Sequence, residues 1–266
     1  MPRDTEVMRL LILRHVGLVG LLAVLAVTPG ATASAEEIGQ QLVVVNSANA
    51  SDTTATLSTY DKVADGTWQR VLGPVKAYVG EVGMGEPQDG VPRTPVGDFA
   101  LDIAFGRLVN PVTSMPYTQV TTQDWWDENP SSPTYNTMVH QSASPGGGSE
   151  NLYNSGPVYD YAVNIAHNPN RIPGHTAGIF LHVTDGSPTL GCVAVDKNSM
   201  QNILKWLDPA KKPRILIGVG VAPPTAPVST VGLAAPASPP APVAADSAAP
   251  TGDLLSAIAD SLLSGS

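Results

Sequence analysis

The chain has one cysteine, Cys192, and a histidine, His182, stands ten positions before it in the stretch IFLHVTDGSPTLGCVAVD. A cysteine nucleophile needs a base or cationic partner to form its thiolate, donors for the oxyanion, and enough exposure to meet substrate. His182 ends an apolar run and is the candidate base. Gly191 has no side chain to block a carbonyl approaching the backbone N–H groups around Cys192, which are the natural oxyanion donors. Taken singly, Cys192 also reads as a small buried hydrophobe, and His182 as a strand histidine satisfied by a backbone carbonyl. Taken together, in an exported chain with a single thiol, the two favour catalysis. His140, His167 and His175 read as loop residues, with His175 the reserve base. Neither a metal nor a cofactor is expected, because no two histidines are spaced i, i+4 and Cys192 is not part of a C-x-x-C.

The case for an unpaired thiol with a purpose rests on the compartment. Arg3, Arg9 and Arg14 precede an apolar run from Val16 to Val27, followed by the small residues Ala31 to Ala35. This pattern predicts a secretory signal over residues 1–35, cleaved after Ala35, in a run too short to span a bilayer. Loss of that segment changes the formal net charge from −9 to −10. A secreted, extracytoplasmic or cell-wall protein of this acidity is not expected to bind nucleic acid, and no membrane span is expected after processing. A monomer is expected.

The elements that must position the pair lie between residues 36 and 220, a length sufficient for one core. β-Branched and aromatic runs predict strands at Gln41–Asn46, Thr54–Tyr60, Val75–Gly80, Phe99–Ile103, Tyr161–Ile165, Gly178–Val183, Cys192–Val195 and Arg214–Val219. One segment is helical: Met200, Ile203, Leu204 and Leu207 share a face, Asp196 or Asn198 caps the start, and Pro209 ends it. Residues 221–266 read as a disordered Pro/Ala-rich tail, with a short terminal helix over Asp253 to Leu263 as one alternative.

The window around the thiol resembles the catalytic signature of L,D-transpeptidases of the YkuD or ErfK type. The residues that carry the resemblance are Ile179-Phe180-Leu181-His182, then Pro188-Thr189-Leu190-Gly191-Cys192-Val193. A second, upstream element, Arg93-Thr94-Pro95-Val96-Gly97-Asp98-Phe99, is similar to that family's T-P-x-G-x-F. The likeness covers about residues 41 to 220 and is closest to secreted actinobacterial members with a long insertion before the catalytic strand. It implies a mostly β, sandwich-like or barrel-like catalytic domain with one or two short helices. It also implies that Cys192 attacks a peptidoglycan stem tetrapeptide, expels D-alanine and leaves a thioester, with His182 as base. An amine acceptor then gives a 3→3 cross-link, and water gives an L,D-carboxypeptidase. The sequence departs from the family in three ways: Leu190 replaces a common histidine, Thr189 replaces a common serine, and the His182-to-Cys192 spacing is short. The partner of the second imidazole nitrogen is left open between Asp185 and a loop carbonyl.

Residues Asn110 to Asn170 form a long insertion rich in aromatic and turn residues. They can wall a substrate site with Trp125, Trp126 or Tyr135, beside Thr189 and Leu190, or the aromatics can simply anchor the insertion. Two other functions compete. Thr189-Leu190-Gly191-Cys192 also resembles the sortase T-L-x-T-C, with Arg214 as the oxyanion arginine, although that family's histidine lies much farther before its cysteine. The other alternative is a non-catalytic envelope-binding protein of the same fold.

Overall fold

In a computed structural model, which describes residues 39–221, strand β1 (Gln41–Ser47) is buried at nearly every position. Side chains alternate across a strand, so Val43 and Val45 enter the main core while Leu42 and Val44 meet Tyr60 in a smaller cluster. The expected export segment and C-terminal tail fall outside the described residues. Strand β2 (Thr54–Lys62) pairs antiparallel with β1, and β3 (Trp68–Tyr78) pairs antiparallel with β2. β3 begins well before the predicted Val75, because its first half is exposed and lacks the apolar run that marks a strand.

Two short strands follow, β4 (Met84–Gly85) and β5 (Thr94–Pro95), paired parallel to each other. The T-P-x-G element therefore enters β6 (Gly97–Gly106) through β5. Strand β7 (Tyr117–Gln119) lies parallel to β6. The long insertion then builds a sheet of its own from β8 (Asp124–Asp127), β9 (Thr137–His140) and β10 (Glu150–Asn151), with β8 in the middle. Sequence patterning missed these strands, since two to four residues are too few to display a period.

The chain returns to the large sheet with β11 (Ala162–Ile165), β12 (Phe180–Val183) and β13 (Val193–Val195). Helix α1 (Lys197–Trp206) follows, and β14 (Arg214–Val219) completes the sheet. Asp196 caps α1 by accepting the Ser199 N–H at 3.0 Å, so the first of the two candidate caps is used. Met200, Ile203, Leu204 and Leu207 all enter the main core.

Hydrogen-bonded neighbours run β11-β12-β13-β3-β2-β1-β14-β6-β7, and β11 also pairs with β6. The sheet thus closes on itself into a barrel, and closure removes the open edges that an eight-stranded sheet would expose. The expected mostly β, barrel-like class is the one observed, with one α-helix and two single-turn 3₁₀ segments among the described residues. Among the described residues, no helix is long and apolar enough to cross a membrane.

Candidate active site

β12 and β13 lie side by side and parallel, with His182 opposite Ala194. Cys192 precedes Ala194 by two, and strand side chains repeat every two residues, so His182 and Cys192 project from the same face of this pair. The connection from Thr184 to Cys192 is short for a parallel crossover. It is held down at Thr189, whose N–H donates to Val79 O at 2.9 Å and whose carbonyl accepts from Glu81 N at 2.9 Å.

Two threonines grip the peptide of Cys192. Thr189 Oγ1 donates to Cys192 O at 2.7 Å and accepts the Gly191 N–H at 3.1 Å. Thr94 Oγ1 donates to the same oxygen at 3.2 Å and accepts the Gly80 N–H at 2.8 Å. The two motifs, 98 residues apart at this bond, meet on one carbonyl. Gly191 is required by space and conformation, with φ +138° and an added Cβ only 2.9 Å from Ile179 Cδ1. Its N–H is taken by Thr189 at 3.1 Å.

The thiol donates to Gly178 O at 3.4 Å, and Sγ accepts the Phe180 N–H at 3.2 Å. Burial pushes the Cys192 pKa far up, against the Phe180 hydrogen bond, and the Glu150 and Glu128 carboxylates add to the rise. The opposite happens to the imidazole, whose pKa is pushed down to about 4 by burial, with the Val183 carbonyl opposing. Both groups are therefore neutral at rest, a thiol and an imidazole lining one cavity rather than an ion pair. His182 Nδ1 lies 2.8 Å from Val183 O. A carbonyl only accepts, so the Val183 bond places the neutral ring's proton on Nδ1 and leaves the lone pair on Nε2, while the Asp185 carboxylate and the Val158 carbonyl also favour the protonated ring. The orienting group is a carbonyl, while the Asp185 carboxylate accepts the Ser187 N–H at 2.9 Å.

Cys192, His182, Thr189 and Leu190 line a cavity of about 1090 Å³ that the insertion walls on its far side. Leu190 is 77% exposed at its rim, an apolar side chain open to solvent at the cavity mouth. Tyr135 lines the cavity, with its hydroxyl donating to Asp89 Oδ1 at 3.3 Å. Trp125 and Trp126 do not line it. Trp126 is buried, edge-on to Phe180 at 4.9 Å with its Nε1 donating to Asn136, and so anchors the insertion; Trp125 donates to Gln141 O. His175 is exposed and its carbonyl braces His167 Nε2. Arg214, the arginine of the sortase resemblance, is away from the cavity, paired with Asp98 at 2.8 Å.

Three residues of the site carry no sequence signal. Tyr159 sets its ring edge-on to His182 at 5.4 Å and donates its hydroxyl to Glu150 at 2.7 Å. Glu150 also accepts from Ser155 Oγ at 2.9 Å, and burial raises its pKa against both bonds. Glu128 lines the same cavity. All three come from the insertion or the segment just after it, where carboxylates and tyrosines at irregular spacing look like ordinary surface residues.

Among curated proteins none matches the chain. Residues 42–223 match the family model of the YkuD L,D-transpeptidase catalytic domain, most of the chain and all of the closed barrel but its first residue, Cys192 and His182 included, and the protein belongs to that family.

Proposed function

We propose that the protein is a peptidoglycan L,D-transpeptidase working through a Cys192 thioester. The observation that carries this reading is the placement of Cys192 and His182 on one face of the β12–β13 pair, opening into a cavity large enough for a stem peptide. The neutral resting pair implies general-base catalysis. As the carbonyl of the donor's third residue approaches Sγ, the thiol proton passes to His182 Nε2, while Val183 O stabilises the imidazolium through Nδ1. The Cys192 N–H receives the developing oxyanion. Collapse expels D-alanine, which takes the proton from His182, and an acyl-enzyme remains. An acceptor amine then yields the 3→3 cross-link, and water yields the hydrolytic product. Such chemistry belongs outside the cytoplasm, and the arginine-led apolar segment ending at Ala35 supports export there.

The test is incubation with a disaccharide-tetrapeptide and, separately, with meropenem. Wild type is expected to release D-alanine and to gain one covalent carbapenem mass on the Cys192 peptide, and Cys192→Ala to do neither. A wild type that is inert in both assays yet pellets with purified sacculi overturns the enzyme reading in favour of a binding protein.

A further inference from the structure

The cavity beside Cys192 has a charge pattern that the nucleophile and its base leave unexplained. Its ionisable lining among the described residues, His182 and Cys192 apart, is Asp89, Tyr135, Glu128, Glu150, Tyr159 and Asp185, with no lysine or arginine. Three of the four carboxylates are engaged: Asp89 accepts the Gly174 and Thr176 N–H groups, Glu150 accepts from Tyr159 and Ser155, and Asp185 accepts from Ser187. Glu128 differs. Its backbone N–H is held by Ser149 Oγ at 3.0 Å, but its carboxyl takes no hydrogen bond among the described residues. Its Oε1 sits against Gly178, where a β-carbon would collide with it. Gly178 is the residue whose carbonyl accepts the Cys192 thiol, so this free carboxyl stands directly beside the nucleophile's anchor. A desolvated carboxyl without partners costs stability, and its position beside a nucleophile marks it for a role.

Building on the transpeptidase reading, we propose that Glu128 is a further catalytic residue, one that receives the ammonium group of the acceptor stem and takes its proton before that amine attacks the Cys192 thioester. A primary amine is an ammonium ion near neutrality and has no lone pair to attack with. The ammonium gives one proton to the Glu128 carboxylate, and the freed nitrogen pair forms the C–N bond. The C–S bond then breaks, and the second nitrogen proton passes through His182 to the departing sulfur, restoring the thiol. Burial, reinforced by the Glu150, Asp89 and Asp127 carboxylates, raises the Glu128 pKa to about 8, so near neutrality the empty site rests mostly protonated. The arriving ammonium, an opposite charge, favours ionisation with loss of that proton to solvent, and the carboxylate so formed is a stronger base than an ordinary one and better matched to an amine. Water needs no such deprotonation before it reaches the thioester, so Glu128 sets the partition between cross-linking and hydrolysis.

The experiment uses the full chain with a tetrapeptide donor and an acceptor peptide bearing a free side-chain amine, reading dimer, tripeptide and D-alanine by mass spectrometry. Glu128→Gln is expected to lower the dimer-to-tripeptide ratio at least about tenfold, with partial recovery in Glu128→Asp. Hydroxylamine, which is already neutral near pH 7, should restore aminolysis in Glu128→Gln, an effect that a merely structural role would not produce. If Glu128→Gln releases no D-alanine, Glu128→Asp is compared with wild type in the same way, and an unchanged ratio there overturns the proposal. A ratio within about twofold of wild type in Glu128→Gln, or equal losses with hydroxylamine and with the peptide amine, also overturns it. So does a wild type that releases D-alanine but only hydrolyses. A wild type that releases no D-alanine refutes the transpeptidase reading itself, and the Glu128 role with it.

Discussion

At the scale of residues, the decisive feature is that Cys192 and His182 are both neutral. His182→Gln removes the only imidazole that lines the cavity among the described residues, and the rate of thioester formation is expected to fall by about 10²–10⁴, measured as D-alanine release at saturating donor. The same variant reports on stability. Because the folded pKa of His182 is about 4, against an ordinary 6.5, the unfolded chain binds the proton first as pH falls between these values. Native His182 therefore costs stability progressively below pH 6.5, and by pH 5 the loss is about 2 kcal/mol. The drop in thermal midpoint between pH 7 and pH 5 is expected to be smaller in His182→Gln than in wild type. An equal drop in both would show that the histidine is not buried in its neutral form.

Elements decide where the thiol points. Thr94 on β5 and Thr189 in the crossover hold the same carbonyl, so removing one hydroxyl frees part of the turn and strands a buried donor. Thr94→Val is expected to cost about 1–3 kcal/mol in chemical denaturation, because the Gly80 N–H loses its acceptor, and to slow acylation as well. Thr94→Ser keeps the hydroxyl and should recover most of both. Within the insertion the corresponding knot is Asp127, fully buried at the end of β8. Burial would raise its pKa, but the Ser132 and Thr134 hydroxyls and the Asn129 N–H outweigh it and leave the carboxyl below its ordinary range. A depressed carboxylate contributes stability that is present above its unfolded value and lost as pH falls through its folded one. Asp127→Asn should therefore loosen the wall of the cavity, seen as faster amide exchange over residues 128–150, and should blunt the acid sensitivity of that segment.

At the scale of the whole molecule, the barrel and the insertion are one cooperative unit, because Trp126 of the insertion packs in the same apolar cluster as Phe105, Phe180 and Cys192. Tryptophan fluorescence and far-UV circular dichroism are expected to report a single coincident unfolding transition in guanidinium. A separate early fluorescence change would show that the insertion unfolds alone. The seam of the barrel is the other global feature. Val163 faces Ala104 across the β11–β6 closure and is fully buried, so Val163→Ala should cost about 2 kcal/mol with the transition still coincident.

Much of this was legible in the amino-acid order. The runs around Val43, Leu57, Ile215 and the Cys192 window have the composition of strands, and the spacing of Met200, Ile203, Leu204 and Leu207 marks α1, because local periodicity reflects which face a segment buries. The Cys192–His182 pair was legible for a chemical reason: one thiol and a nearby histidine are rare residues that stand out in this sequence. Tertiary structure alone decided what lies between segments distant in the chain. It brought Thr94 onto the Cys192 carbonyl, turned Trp126 into an anchor rather than a substrate contact, and closed β11 onto β6. It also set Glu128 and Glu150 beside the thiol. Their acidity, like the depressed base strength of His182, arises from desolvation, and desolvation is a property of what surrounds a group in space, which no neighbour in sequence specifies.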